Sequence, residues 1–265
     1  MADYALTLSD AELARYRSMA AAARRDEAAQ WAAAGIVPGA RVADVGCGPG
    51  AVLVAMAEVV GESGSVTGVD AEPQAVAAAT AEIARFGLVN ATAQQGQADD
   101  TGLEPSSYDV VVMRHVLAHN PQREQRIVEH LATLVRPGGC VYLVDIEGTA
   151  LRWRPVDVDM EDMTEKYLAF HAARGADLQI GLRLGELLSG AGLDVVEHRG
   201  TYSIIQAPPG MRPPPWAARD AMVAEGAATV EDVARWDAAL ARLDQMPTRP
   251  TLFAPMFTAI GRRPV

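Results

Sequence analysis

The sequence predicts an α/β protein built on a doubly wound sheet, and three observations carry that expectation. An apolar run, Arg41-Val42-Ala43-Asp44-Val45, has strand character and leads into the glycine cluster Gly46-Cys47-Gly48-Pro49-Gly50. The cluster forces a tight turn, after which Ala51 to Val60 reads as a helix. A second apolar strand, Val66 to Val69, ends on Asp70. Glycine lets backbone approach a ligand closer than any Cβ allows, and a carboxylate closing the second strand can accept both hydroxyls of a ribose. Turn, helix and acid together point to a nucleoside site.

The spacing narrows the nucleoside. A dinucleotide fingerprint reads Gly-x-Gly-x-x-Gly, whereas this turn reads Gly-x-Gly-x-Gly with Pro49 inside it and Asp44 two residues ahead. That argues against a pyrophosphate cradle, which needs a free helix N-terminus at the third glycine, and so against a nicotinamide-dependent oxidoreductase. The segment from Val42 to Gly50, with Asp70 beyond it, resembles the first motif of the class I S-adenosylmethionine (SAM)-dependent methyltransferases.

The resemblance continues in chain order. Pro73 opens a helix to about Arg85, and Asn90 to Gln95 reads as a third strand ending in Gly96-Gln97-Ala98-Asp99-Asp100. Relatives carry Gly-Asp-Ala there, the acid taking the adenine amino group and the alanine amide facing a ring nitrogen. Here Gln97 replaces the acid, and either its side-chain oxygen or Asp99 accepts from that amino group. Ser107 to Met113 resembles the fourth strand, and Arg114-His115-Val116-Leu117-Ala118-His119-Asn120-Pro121 resembles the following loop of the ubiquinone/menaquinone-type branch. A helix over Gln122 to Val135 and the turn Arg136-Pro137-Gly138-Gly139 lead to a fifth strand, Cys140 to Ile146. The likeness covers residues 36 to 146 and thins beyond.

It implies a seven-stranded sheet of order 3-2-1-4-5-7-6 with the last strand antiparallel. Leu193 to Ile205 reads as strand six and Thr251 to Arg262 as the last strand. Three segments lie outside that core. Residues 1–35, opened by the capping box Ser9-Asp10-Ala11-Glu12, form an N-terminal helical lid. Residues 36–265 form the Rossmann-like domain, with inserts at about 147–176 and 207–250. The first insert has helical character over Val158 to Ala173; the second follows Pro-rich breaks with helices near Trp216 to Glu225 and Thr229 to Leu243. Ligands of open parallel sheets bind at the carboxyl ends of the strands, so these segments are expected to gather there as lids.

Composition limits the partners. The 265 residues carry a net charge of -11, which argues against nucleic acid, whose phosphates need a basic face. No run reaches the roughly 18 to 20 apolar residues of a membrane span. No basic-then-apolar leader opens the sequence, so a cytoplasmic protein is expected. Cys47 and Cys140 make no disulfide framework, and no metal-ligand spacing is present. A homodimer is compatible with all of this.

The resemblance implies SAM as cofactor and S-adenosylhomocysteine as product. Gly46, Cys47, Gly48 and Gly50 would give close backbone approach, with Asp44 near the methionyl amino group. Asp70 would take the ribose, with Ala71, Gln97 and Ala98 around the adenine. The Met113-Arg114 backbone would face the methionyl end, and Tyr16 and Arg17 would close over its carboxylate. For catalysis His115, at the exit of strand four, is a base candidate because an unperturbed imidazole titrates at about 6.5. His119 in the same loop, Asp145 and Glu147 ending strand five, and His171 in the lid are further candidates. The lid aromatics Trp153, Tyr167, Phe170 and Trp216 suit an apolar or aromatic small-molecule acceptor with an oxygen, nitrogen or activated carbon nucleophile. The alternative is a SAM-binding regulator or a cyclase of the same fold.

Overall fold

The computed structural model describes residues 10–265, so Ser9 of the expected capping box lies outside the described residues. Two helices, α1 (Asp10–Asp26) and α2 (Ala28–Ala34), precede β1 (Arg41–Val45), α3 (Ala51–Val60), β2 (Ser65–Asp70), α4 (Pro73–Arg85) and β3 (Ala91–Gln95). Then come β4 (Tyr108–Arg114), α5 (Glu124–Leu134), β5 (Val135–Ile146), β6 (Arg152–Arg154), α6 (Val158–Ala173) and α7 (Leu184–Gly190). The chain finishes through β7 (Asp194–Gln206), α8 (Pro214–Ala217), α9 (Arg219–Ala224), α10 (Val230–Asp244) and β8 (Thr251–Arg262).

The sheet has order β3-β2-β1-β4-β5-β8, with β7 on the far side of β8. β1 to β5 run parallel, and β8 is antiparallel to both β5 and β7. This is the expected order with one addition: the three-residue β6 pairs with Thr251–Phe253 of β8, past the end of β5. A second difference lies at the expected turn 136–139. It is a bulge inside β5, where Tyr108 pairs with Val135 and Val110 next pairs with Cys140. Gly138 has φ 78°, and a Cβ on Gly139 would stand 2.7 Å from the Asp109 carbonyl oxygen, so both glycines are demanded by the crossing.

Two apolar layers sandwich the sheet. One face of β1, β4 and β5 packs with α3, Ile83 of α4, and Ala23, Trp31 and Ala34 of α1 and α2. The other packs with Ile127, Val128 and Leu131 of α5 and Leu184, Leu187 and Leu188 of α7. The inserts build a third cluster of their own, in which Trp153, Met160, Met163 and Phe170 meet Met222, Trp236 and Leu240. Its polar rim is a clasp: Arg235 bonds Asp159, Asp162 and Asp232, and Arg242 bonds Asp157 and Asp159. Thr229 and Asp232 form a capping box that starts α10.

Candidate active site

In-register pairing brings the carboxyl ends of β1, β2 and β4 level: Asp44 lies opposite Gly68 and Val112, and Val45 opposite Val69 and Met113. The chain reverses its winding between β1 and β4, the point where open α/β sheets bind ligands.

The glycine turn here is closed upon itself. Gly46 and Cys47 donate their N–H groups to the Val69 carbonyl at 2.7 and 3.1 Å, Gly50 donates to the Cys47 carbonyl, and Gly48 donates to Asp70 Oδ2 at 2.8 Å. These amides are therefore spent within the protein, which is incompatible with a phosphate cradle of the kind the dinucleotide fingerprint makes. All three glycines have positive φ. A Cβ on Gly46 would strike Val116 Cγ2 at 2.2 Å and one on Gly50 would strike Ala79 at 2.9 Å, whereas Gly48 meets only the Tyr16 ring, at 3.8 Å. Two of the glycines thus serve tight packing, and Gly48 is the open one, under Tyr16 of α1. Arg17, beside it, turns to α4 and gives Glu82 two bonds of 2.8 and 2.9 Å.

Asp70 Oδ1 accepts from the Glu72 N–H at 3.0 Å. With one amide on each oxygen, its carboxylate keeps lone pairs for further donors. Ala71 is tied to β3 through its carbonyl, which accepts from Gln95. Gln97 and Asp100 exchange backbone bonds in the tight turn that holds Ala98. Asp99 is committed elsewhere: Arg123 and Arg126 both bond its carboxylate and hold it below the usual carboxylate range. Of the two adenine candidates, Gln97 is the one whose side chain is not locked by arginines.

Asp44 is 2% exposed, and burial, reinforced by the charge of Asp70, pushes its carboxyl up to about 7 against an opposing pull from Arg114. Met113 is buried in β4, and Arg114 beyond it bonds Glu27. His115 follows with φ 55° and gives its backbone N–H to the Val144 carbonyl, which ties the exit of β4 to β5. Its Nδ1 stands 3.9 Å from Asp145 Oδ1. Asp145, buried at the end of β5, accepts from its neighbour Ile146 and from Ala118 of the loop. His119 is held below its ordinary pKa by burial, with Asp145 pulling it the other way. Its ring is 5.1 Å from that of His171 on α6, which in turn meets Tyr167 at 4.4 Å and Phe170 at 5.2 Å.

The sequence candidates His115, His119, Asp145 and His171 are therefore one cluster. Glu147 stands apart from it, capping the next turn through Thr149 and Gln179. Of the four lid aromatics, Trp153 and Phe170 are buried in the core of the insert, and Trp216 lies against Arg219 with its Nε1 on Asp237. Tyr167 meets His171 at the shorter ring distance, 4.4 Å against 5.2 Å for Phe170. One residue was not read from the sequence: Glu27, at the break between α1 and α2, which accepts from both Arg114 and Tyr142. It stands in an Ala/Arg-rich helical stretch with no motif around it, and only the fold brings Arg114 to it.

Among the described residues, three buried side-chain atoms lack a hydrogen-bond partner: Asp44 Oδ2, Arg114 Nε and His115 Nε2. All three belong to the ends of β1 and β4. Buried polar groups are nearly always paired, so an unpaired acceptor, donor and imidazole nitrogen together mark the place where a ligand completes the set.

A doubly wound sheet with an antiparallel last strand, a closed glycine turn and an acid ending β2 defines a class. The fold is that of the class I SAM-dependent methyltransferases. Residues 42–139 match the family model described as a methyltransferase domain. The chain is 32% identical over 118 residues to an arsenite methyltransferase of Aquipseudomonas alcaligenes, which covers 42% of this chain and 34% of that protein. It is 38% identical over 106 residues to the nocamycin O-methyltransferase of Saccharothrix syringae, covering 40% of this chain and 38% of the relative. The match thus spans little more than a third of either relative. The crystal structure of the YcgJ protein from Bacillus subtilis shares the fold, with a TM-score of 0.58 at 17% identity over 91% of this chain and 99% of that one. The cofactor of that class is SAM, and the donor set fits it: an amino-acid zwitterion would offer an ammonium to the unpartnered Asp44 Oδ2 and a carboxylate to the unpartnered Arg114 Nε. Among the described residues no helix is long and apolar enough to cross a membrane, and no cluster of His, Cys, Asp and Glu has metal-binding geometry.

Proposed function

We propose that the protein transfers the methyl group of SAM to an oxygen, nitrogen or activated carbon of a small apolar or aromatic molecule, in cytoplasmic specialised metabolism. The three unpartnered buried atoms, Asp44 Oδ2, Arg114 Nε and His115 Nε2, carry this reading. When bound, SAM supplies an electrophilic methyl group. Asp44 and Arg114 hold the amino-acid end by charge-assisted hydrogen bonds, Asp70 holds the ribose, and Gln97 with Ala98 bounds the adenine. Held by these residues, the donor would be presented to an acceptor at the carboxyl ends of the strands, and such positioning supplies much of the rate in transfers of this kind.

His115 faces the acceptor. Its unpaired Nε2 takes the proton that the nucleophile loses, while Asp145, 3.9 Å from Nδ1, steadies the imidazolium. His119 and Tyr167 bound the acceptor on the lid side, with His171 behind them. α1, with Tyr16 over Gly48, and α6 cover the site from two sides and keep water out, which favours a reaction that disperses charge.

The test is calorimetric titration with SAM and S-adenosylhomocysteine, followed by mass spectrometry with phenols, indoles, amines and keto acids as acceptors. Binding plus acceptor-dependent S-adenosylhomocysteine supports the proposal. Binding with a changed acceptor of unchanged methyl count would make the protein a cyclase of this fold, and no binding would remove the cofactor role.

A further inference from the structure

The edge strand β7 has only one neighbour among the described residues, β8, which leaves a row of backbone N–H and C=O groups open along its other side. Natural proteins blunt such edges with charge, proline, bulges or a covering segment. The first half of β7 is blunted: the register slips between Val195 and Glu197, and Glu197 and Arg199 follow. The second half, Gly200-Thr201-Tyr202-Ser203-Ile204-Ile205-Gln206, carries no charge, no proline and no bulge, and Pro208 and Pro209 bound it downstream. Within it Tyr202 is 57% and Ile204 67% exposed, and Ile205 is exposed as well. High β-propensity, low charge and an open edge make this segment a pairing template.

We propose that residues 200–206 pair antiparallel with the same residues of a second copy, joining two sheets across a two-fold axis at Ser203. Side chains alternate faces along a strand, so a two-fold normal to the sheet must pass through a residue position rather than between two. With Ser203 on the axis, Tyr202 of each copy faces Ile204 of the other on one face of the sheet. Thr201 faces Ile205 on the other face. These are the aromatic–β-branched and β-branched pairs that stabilise sheets. Moving the axis one residue back to Tyr202 sets Gly200 against Ile204 and Arg199 against Ile205, and loses both. The bulge at Val196 and the charges of Glu197 and Arg199 then end the pairing at one side, so the contact closes as a dimer and does not extend.

Sedimentation of the full chain at micromolar concentration should show twice the 28.1 kDa monomer mass, and Ile204→Lys should return it to the monomer. Ile204→Val should remain dimeric. Because Ile204 is exposed within one chain, both variants should keep the parent far-UV spectrum and its affinity for S-adenosylhomocysteine, which separates this proposal from the cofactor assignment. Amide exchange over 201–206 should be slow when concentrated and at least tenfold faster on dilution. A monomeric parent protein, a dimer that survives both Ile204→Lys and Tyr202→Lys, or protection independent of concentration would each overturn the proposal. The last result would mean that the edge is covered from within one chain.

Discussion

Arg114 presents one guanidinium nitrogen to both carboxylate oxygens of Glu27, at 2.7 and 2.8 Å, and Tyr142 adds its hydroxyl to the same carboxylate at 2.8 Å. Both charged side chains are nearly buried, at 12% and 14% exposure. The pair fastens the break between α1 and α2 to the ends of β4 and β5, beside Asp44. Removing one member of a buried pair leaves the other uncompensated, so Glu27→Ala should cost about 3 kcal/mol in urea unfolding. A loss near ~0.5 kcal/mol would place the pair with ordinary surface contacts.

Asp44 sets a pH dependence of stability and a second one of binding. An aspartate titrates at 3.8 ordinarily and at about 7 here, so between those values the folded state holds a proton that the unfolded state has lost. Stability therefore falls as pH rises across that window. Asp44→Asn should flatten the slope while abolishing most of the affinity for S-adenosylhomocysteine. In the parent protein the same affinity should weaken below pH about 7, by up to about tenfold per unit, because the ammonium needs the ionised carboxylate. Urea titrations and calorimetry at several pH values read both effects.

Asp70 accepts from the N–H groups of Gly48 and Glu72, and in the proposed role its carboxylate also takes the ribose. Asp70→Ala should weaken cofactor binding by about 1 to 3 kcal/mol. Calorimetry giving an unchanged dissociation constant would take Asp70 out of that role.

His115→Ala should lower turnover by about 10²-fold or more with little change in S-adenosylhomocysteine affinity. Affinity falling with turnover preserved would assign the imidazole to cofactor binding.

His171 is held at about 4, by burial first and then by His119 and Arg174, against an ordinary 6.5. Below 6.5 the unfolded chain takes a proton that the folded chain refuses until about 4, so stability should drop as pH falls through that interval. His171→Phe should remove that component. An NMR titration that moves His171 near pH 6.5 would contradict the burial argument.

Strands and helices around the cofactor end were legible because each carries its own local signal. Arg41–Val45, Ala51–Val60 and Pro73–Arg85 begin and end where apolar runs, glycines and Pro73 dictate. The bulge at 136–139 was not, since a glycine pair reads the same whether it turns a chain or crosses a neighbouring strand. Nor was β6, whose three residues gain strand character only from β8 beside them. At the site, the types His115, Asp145 and His171 could be proposed from sequence, but their meeting depends on α6 folding back. Trp153 and Phe170 show the converse: large aromatics in an insert predict burial, and only the third cluster reveals that they bury against the insert itself. Glu27 was silent because a long-range partner leaves no trace in local spacing.

β8 is bordered by β5, β6 and β7, and it follows all of them in the chain. During synthesis β6 and β7 consequently have no strand to dock on until residues 251–262 emerge, whereas β1 to β5 can already assemble. The ribosome thus completes the half that holds Asp44, Asp70 and Arg114 before the half that carries the exposed edge.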